Sequence, residues 1–315
     1  MKKICLMLAL SAIAFSAPAQ LYFRAGIGYA MPQAGQSMYD TPIPYNGFPT
    51  GYNGTRNNPS SQSFAYSIKS ASFSAGVPAT IGLGYMVSDH VGIQLDASIG
   101  LSNKKYTFVD NNVNLGTAAS PVPGTISTTQ TANHPVLLIP ALVIQSGGEK
   151  LKVYGRIGAV LPLNTKVTQE MVLSNLPGAG AVIVDDFTWQ IKSSFSVGFT
   201  AAAGVKYQLN DKMSIWGEFS FLSMTQNTKE QNLQTWTEDG QSVSLSAYPY
   251  PTHIKFSKTA IVDTTFETFP TYGQPFSNVG FNVGISFNIS EKKARGNKHF
   301  TSDEGEENKK PFKRR

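Results

Sequence analysis

The 315-residue chain is 41% hydrophobic and 15% charged, with 28 glycines, 19 phenylalanines and a single cysteine, Cys5. Its formal charge of +6 sits at the ends: nine Lys or Arg and five Asp or Glu fall between Ser290 and Arg315, and Lys2 and Lys3 lie at the N-terminus, which leaves 15 basic and 15 acidic residues between Gln20 and Ile289. A balanced body without a basic stripe excludes nucleic acid as a partner, and a body without cysteine excludes disulfides, thiolate metal sites and cysteine catalysis.

In chain order, Met1-Lys2-Lys3, the apolar run Ile4 to Phe15 and Ser16-Ala17-Pro18-Ala19 have the charged, apolar and small-residue order of a secretory leader, which places the start of the mature chain at Gln20. The apolar run is shorter than the roughly 20 residues of a spanning helix. Cys5 lies inside it and is not placed as a lipid-attachment site. Beyond it the dominant signal has period two. From Val91 to Ser102 the odd positions are Val, Ile, Leu, Ala, Ile and Leu, and from Val279 to Ile289 the odd positions are all apolar; both runs match the roughly 9 to 11 residues of a tilted membrane-crossing strand.

Eight such runs can be marked: Leu21–Met31, Ala71–Val87, Val91–Thr107, His134–Gln145, Leu151–Val172, Phe187–Leu209, Met213–Thr225 and Phe276–Ile289. Three connections are tight turns (Ser88 to His90, Ser146 to Lys150, Asn210 to Lys212), and they alternate with four long ones rich in Gly, Pro, Asn, Ser and Thr (Pro32–Ser70, Phe108–Asn133, Leu173–Asp186, Gln226–Pro275). This puts all short turns at one end of a sheet and all long loops at the other. The fold class is thus all-β, an eight-stranded antiparallel up-and-down transmembrane β-barrel over residues 20–289, with short periplasmic turns and long extracellular loops. Residues 1–19 are the leader and 290–315 a charged, disordered periplasmic tail. Ser242 to Tyr248 and His253 to Val262 would make the count ten if they reached the membrane as a hairpin. A soluble sandwich or closed soluble barrel also alternates apolar and polar positions. Against that stand the asymmetric loops and aromatics on the apolar parity near strand ends: Tyr85, Tyr207 and Phe287 toward the short turns, Tyr29 and Trp189 toward the loops. The fourth run is apolar on both faces and carries Pro135 and Pro140, while Pro78 and Pro162 interrupt other runs, so bulged or frayed pairing is expected there.

On the opposite parity lie Arg24, Asp96, Arg156 and Glu218, the last three each five residues beyond the first residue of their runs. An eight-stranded barrel has room inside only for side chains, so two cations and two anions at one height form a lumen ion cluster, either a plug or a rearrangeable gate; glycines at inward positions of even strands (Gly82, Gly84, Gly204, Gly280, Gly284) leave them space. Catalytic machinery is not evident. His90, His134, His253 and His299 have no partner at telling spacing, no HExxH or GxSxG occurs, and Asp185-Asp186 and Glu238-Asp239 read as solvated loop acids rather than metal ligands. No cofactor and no metal is expected. Tyr39, Tyr45, Phe48, Tyr52 and Tyr66 give the first loop the composition of adaptable binding surfaces.

The leader, the eight runs, the three turns and the closing Gly280-Phe281-Asn282-Val283-Gly284-Ile285-Ser286-Phe287 resemble the small outer-membrane β-barrel proteins of the OmpA and OmpX type, in the general form found in many Bacteroidetes. The resemblance spans Gln20 to Ile289. It implies residence in the cell outer membrane among its lipids as a monomer, insertion by the barrel-assembly machinery, and an assembly signal carried by Phe281 and Phe287. That signal is internal here, because Phe287 precedes the tail, and the tail is far too short for the peptidoglycan-binding domain of some relatives. The implied role is non-enzymatic: structural, surface-interacting through an extracellular ligand at the loops, or a narrow pore. A porin-like small-solute channel and a lipid A-modifying enzyme, with His134 as its histidine, are the alternatives.

Overall fold

Alternation of apolar and small polar residues makes the chain extended, because successive side chains of a strand point to opposite faces and each face then meets one environment. Eight antiparallel strands close into a barrel in the computed structural model: β1 (Gln20–Pro32), β2 (Pro78–Met86), β3 (Val91–Gly100), β4 (Val136–Gln145), β5 (Leu151–Asn164), β6 (Gly198–Gln208), β7 (Met213–Ser223) and β8 (Asn278–Asn288). Each pairs with its sequence neighbours, and β8 closes on β1 through Tyr22 opposite Asn288 to Pro32 opposite Asn278. The structure describes residues 20–33, 37–38, 69–114, 123–177, 182–248, 251–259 and 267–289. The expected leader and tail, the first-loop aromatics Tyr39, Tyr45, Phe48, Tyr52 and Tyr66, and His299 lie outside them.

The three tight turns are held by short polar side chains that bond the backbone ahead of them. Asn210 Oδ1 accepts from the amides of Lys212 (3.0 Å) and Met213 (2.8 Å), and Ser88 Oγ accepts from those of His90 (3.3 Å) and Val91 (3.1 Å). Ser146 Oγ accepts from the Val153 amide at 3.0 Å. Apolar side chains of the barrel strands point outward: Ile93, Leu95, Val153, Ile157, Phe219 and Phe281 are all exposed on the outer wall.

The prolines act where the ladder can lose a donor. Pro78 opens β2. Pro162 stands at a register shift between β4 and β5, where Val136 faces Asn164 but Leu137 faces Pro162. Ile139 and Pro140 have no partner among the β4–β5 pairs, although Pro140 lies opposite Leu95 of β3.

The long connections are not plain loops. They contain the strands Lys104–Asn114, Pro123–Ala132, Val167–Pro177, Val182–Ser193 and Thr225–Glu238, which with shorter pieces form a second, nine-stranded sheet beyond the long-loop end of the barrel. The runs Leu151–Val172 and Phe187–Leu209 each join a barrel strand to a strand of this sheet. Ala71 to Val77, expected as the start of the second strand, lies before β2 and turns into the barrel mouth. His253–Ser257 pairs with Thr225–Glu238 and Leu245–Ala247 is a 3-10 turn, so this region adds nothing to the barrel wall, which has eight strands. Trp189, expected in an aromatic belt, is instead buried in the second sheet, while Tyr29, Tyr207 and Phe287 are exposed on the barrel's outer face.

Candidate functional site: the barrel lumen

The lumen is filled in two layers. Toward the short turns the structure brings Arg24, Asp96, Arg156 and Glu218 together, all at least nine-tenths buried. Arg156 grips Glu218 with two bonds, Nη2 to Oε1 at 2.6 Å and Nε to Oε2 at 3.1 Å, and its Nη1 lies 3.4 Å from Asp96 Oδ2. Arg24 Nη2 lies 3.3 Å from the other side of the same carboxylate, Glu218 Oε2. Charge-assisted two-point pairing of this kind is directional as well as strong, and two cations against two anions leave the cluster neutral.

The cluster has an aromatic and amide collar that a reading of charges alone passes over. Tyr22 donates to Gln94 Oε1 at 2.8 Å, Gln94 Nε2 donates to Asp96 Oδ2 at 2.6 Å, and Tyr154 donates to Glu218 Oε2 at 2.9 Å. The Arg24 guanidinium stands 3.7 Å from the centre of the Trp216 ring, a cation–π contact. These residues follow one rule: on each odd barrel strand the collar residue sits two positions before the charge, as Tyr22 before Arg24, Gln94 before Asp96, Tyr154 before Arg156 and Trp216 before Glu218. Period two puts both on the lumen face, so the signal was present in the sequence. Room comes from the even strands. A Cβ at Gly82 would overlap the Asp96 carboxylate, and one at Gly84 would overlap the Tyr22 ring.

Toward the long loops the lumen is apolar. Phe73 and Phe276 are completely buried, their ring centres 5.7 Å apart, with Tyr106 edge-on to Phe73 at 5.5 Å. Phe73 is delivered by the segment Ala71 to Ala75. Its amide donates to the Pro275 carbonyl at 2.8 Å, the Ser72 amide donates to the Tyr106 hydroxyl at 2.7 Å, and Ser74 Oγ donates to the Phe276 carbonyl. Leu137, Ile139, Val160 and Leu222 of the wall pack on this plug. That accounts for the doubly apolar fourth run: one face of β4 meets the outer surroundings and the other meets the plug.

The remaining candidates make contacts within the fold. His134 adopts a positive φ of 44° with Nδ1 at 2.9 Å from the Gly100 carbonyl oxygen, so that nitrogen is engaged by backbone. Asp185, expected as a solvated loop acid, is buried and accepts from Trp236 Nε1 at 2.9 Å, because its strand belongs to the second sheet. Asp239 caps a turn, its Oδ1 accepting from the Val184 amide at 2.9 Å. Among the described residues no three His, Asp or Glu side chains converge as metal ligands. Phe281 and Phe287 face outward from β8.

A closed barrel with an apolar outer wall, a filled interior and one-ended tight turns is the architecture of membrane-crossing β-proteins, and the model of the outer membrane protein beta-barrel domain matches residues 4–246 of this chain. The chain belongs to the outer membrane protein beta-barrel family. As a member of it the protein resides in the outer membrane, with short turns in the periplasm and the second sheet outside the cell. Solved outer-membrane barrels are similar to it. OprG from Pseudomonas aeruginosa has 11% identity and a TM-score of 0.35, covering 86% of this chain and 96% of that one. Ail, the attachment invasion locus protein of Yersinia pestis, has 7% identity and a TM-score of 0.26 over the same shares. No curated protein matches the chain.

Proposed function

We propose that this outer-membrane barrel is a closed, non-enzymatic scaffold that seals its own lumen and presents the extracellular sheet as an interaction surface. The observation that carries the reading is the stacking of two different fillings in one narrow lumen, a neutral ion cluster below and an aromatic plug above. A solute would have to break buried ion pairs and displace buried rings. The sheet above supports the second half of the reading. Its outward rows are polar and regular, with Thr107, Thr129, Glu170, Thr188 and Thr235 in register across five strands. In this reading the protein works as a monomer among outer-membrane lipids, with Phe281 and Phe287 offered to the assembly machinery from the lipid face and an extracellular ligand engaged by the sheet.

Planar-bilayer recording tests the seal. The folded protein is expected to add no stable conductance. Large, lasting steps would overturn the closed-barrel reading in favour of a porin-like channel.

A further inference from the structure

Two ladders meet where the barrel gives way to the extracellular sheet. Val160 of β5 lies opposite Gly198 of β6, and in the strands Val167–Pro177 and Val182–Ser193 that continue them Val167 lies opposite Ile191. The joining segments carry Leu163 and Phe195, 63% and 72% exposed, which extend the apolar outer wall of Ile157 and Phe199 to its upper edge. Val167 and Ile191 are fully buried, so the residues beside them, Lys166 and Lys192, belong to the outer face of the sheet, and both are exposed. Three residues of extended chain span at most about 10 Å, which places both lysines close above the apolar edge. The polar layer of a bilayer begins at such an edge and is about 5 to 8 Å deep on each side.

Charge on this face is graded with height. In the row nearest the membrane Lys192 lies opposite Glu230 and Glu230 opposite Lys255, with Lys192 Nζ donating to Glu230 Oε1 at 2.8 Å. The next row runs Lys105, Thr131, Thr168, Gln190, Asn232 and His253 and holds no carboxylate. Higher rows bring Glu170 and then Asp186. The base of the face is thus cationic, with Lys105, Lys166, Lys192 and Lys255 against Glu230 and, at the sheet's edge beyond Lys255, Glu267.

We propose that this base is a seat for the phosphorylated headgroup of a glycolipid of the outer leaflet, with a phosphate between Lys166 and Lys192 and acyl chains along Leu163 and Phe195. The wall below is already the lipid interface of an outer-membrane protein, and the seat continues it upward. An anionic lipid surface attracts lysines held near it, and lysine binds phosphate as a compact charge. The hydroxyl and amide side chains of Thr168, Gln190 and Asn232 in the next row suit sugar hydroxyls. A soluble anion would gain nothing from the exposed apolar pair beneath, and a neutral lipid nothing from the lysines. The seat depends neither on a sealed lumen nor on what the upper rows bind, so a conducting barrel would leave it standing.

The test uses the folded full-length protein in neutral detergent, read by native mass spectrometry and by the temperature of the heat-induced mobility shift. Bisphosphorylated lipid A is expected to give a bound adduct and a higher shift temperature. The same lipid stripped of its phosphates, phosphatidylglycerol and inorganic phosphate should each bind more weakly. In Lys166→Gln/Lys192→Gln lipid A should bind about tenfold more weakly, in line with two lysines at an anionic surface, whereas Lys212→Gln in a periplasmic turn should bind as the wild type does. If the double variant does not fold, Lys166→Gln alone should weaken binding. Equal binding of the phosphorylated and stripped lipids would overturn the seat, as would undiminished binding by the double variant. Phosphatidylglycerol bound as tightly as lipid A would overturn the glycolipid as occupant, and inorganic phosphate bound as tightly would overturn any lipid.

Discussion

The barrel wall and the extracellular sheet are built from the same strands' continuations, yet they are inverted with respect to each other. In the run from Leu151 to Val172 the odd positions are apolar except at Gly155, Thr165 and Gln169. In β5 those positions, Leu151, Val153 and Ile157, face lipid; past Asn164, Val167, Met171 and Leu173 are buried inside the second sheet. The run into β6 does the same in reverse, from buried Phe187, Trp189 and Ile191 to exposed Phe199, Val205 and Tyr207. Apolar parity is one signal with two causes. In the bilayer it is satisfied by acyl chains, which lets the interior be polar; in water it has to be satisfied by other side chains, which reverses the arrangement and leaves Thr, Glu and Lys outside.

The sharpest way to break this comparison is to attack the polar interior. Arg156→Ala leaves the Glu218 carboxylate buried without its two-point partner and takes the Arg156 contact from Asp96, a loss of about 3–5 kcal/mol for breaking a buried pair. The temperature of the heat-induced mobility shift on a gel should fall sharply, and an unchanged transition would count against a cluster that holds the barrel together. Phe73→Ala attacks the apolar filling instead and should cost about 3 kcal/mol or more through the cavity it leaves. Because it spares the ion cluster, bilayer recordings of this variant should still show a closed barrel; stable channels would move the seal from the cluster to the plug. Tyr154→Phe removes one donor to Glu218 Oε2, leaving the carboxylate short of a bond at a cost of about 1–3 kcal/mol, read by the same gel shift with an effect smaller than that of Arg156→Ala.

The smallest effect belongs to the extracellular sheet. Partial burial pushes the Asp186 carboxyl above its ordinary value and Glu170 adds to the rise; its Oδ1 accepts no hydrogen bond. A carboxyl raised in the folded state favours the fold while protonated, so its contribution is full below the unfolded value of about 4 and is lost as pH rises through the folded value. Asp186→Asn should therefore slow amide exchange in Val182–Ser193 at neutral pH and make no difference in acid. An equal gain at both ends of the range would remove Asp186 as the cause.

Much of the barrel could be read from local pattern. The three turns carry their own side-chain caps, and the eight strands need only alternation and a length that spans the bilayer. The collar residues Tyr22, Gln94, Tyr154 and Trp216 were visible on the lumen parity but had no charge to draw attention to them. The second sheet was hidden for a different reason. Its strands pair across long stretches of chain, as in Val167–Pro177 with Pro123–Ala132, and threonine-rich segments such as Thr125 to Thr131 look like loop until their partners are known.

By itself, then, the sequence determined an exported-type β-protein whose apolar residues alternate, whose turns are short at one end, and whose inward charges balance at Arg24, Asp96, Arg156 and Glu218. Only the tertiary structure decided that Arg156 takes Glu218 with two bonds, that Phe73 fills the upper lumen, and that Lys166 and Lys192 stand side by side above the lipid face. The reason is geometric. Period two fixes which side of a strand a residue occupies, whereas the contacts across a lumen depend on strand register and closure, which no local stretch of chain contains.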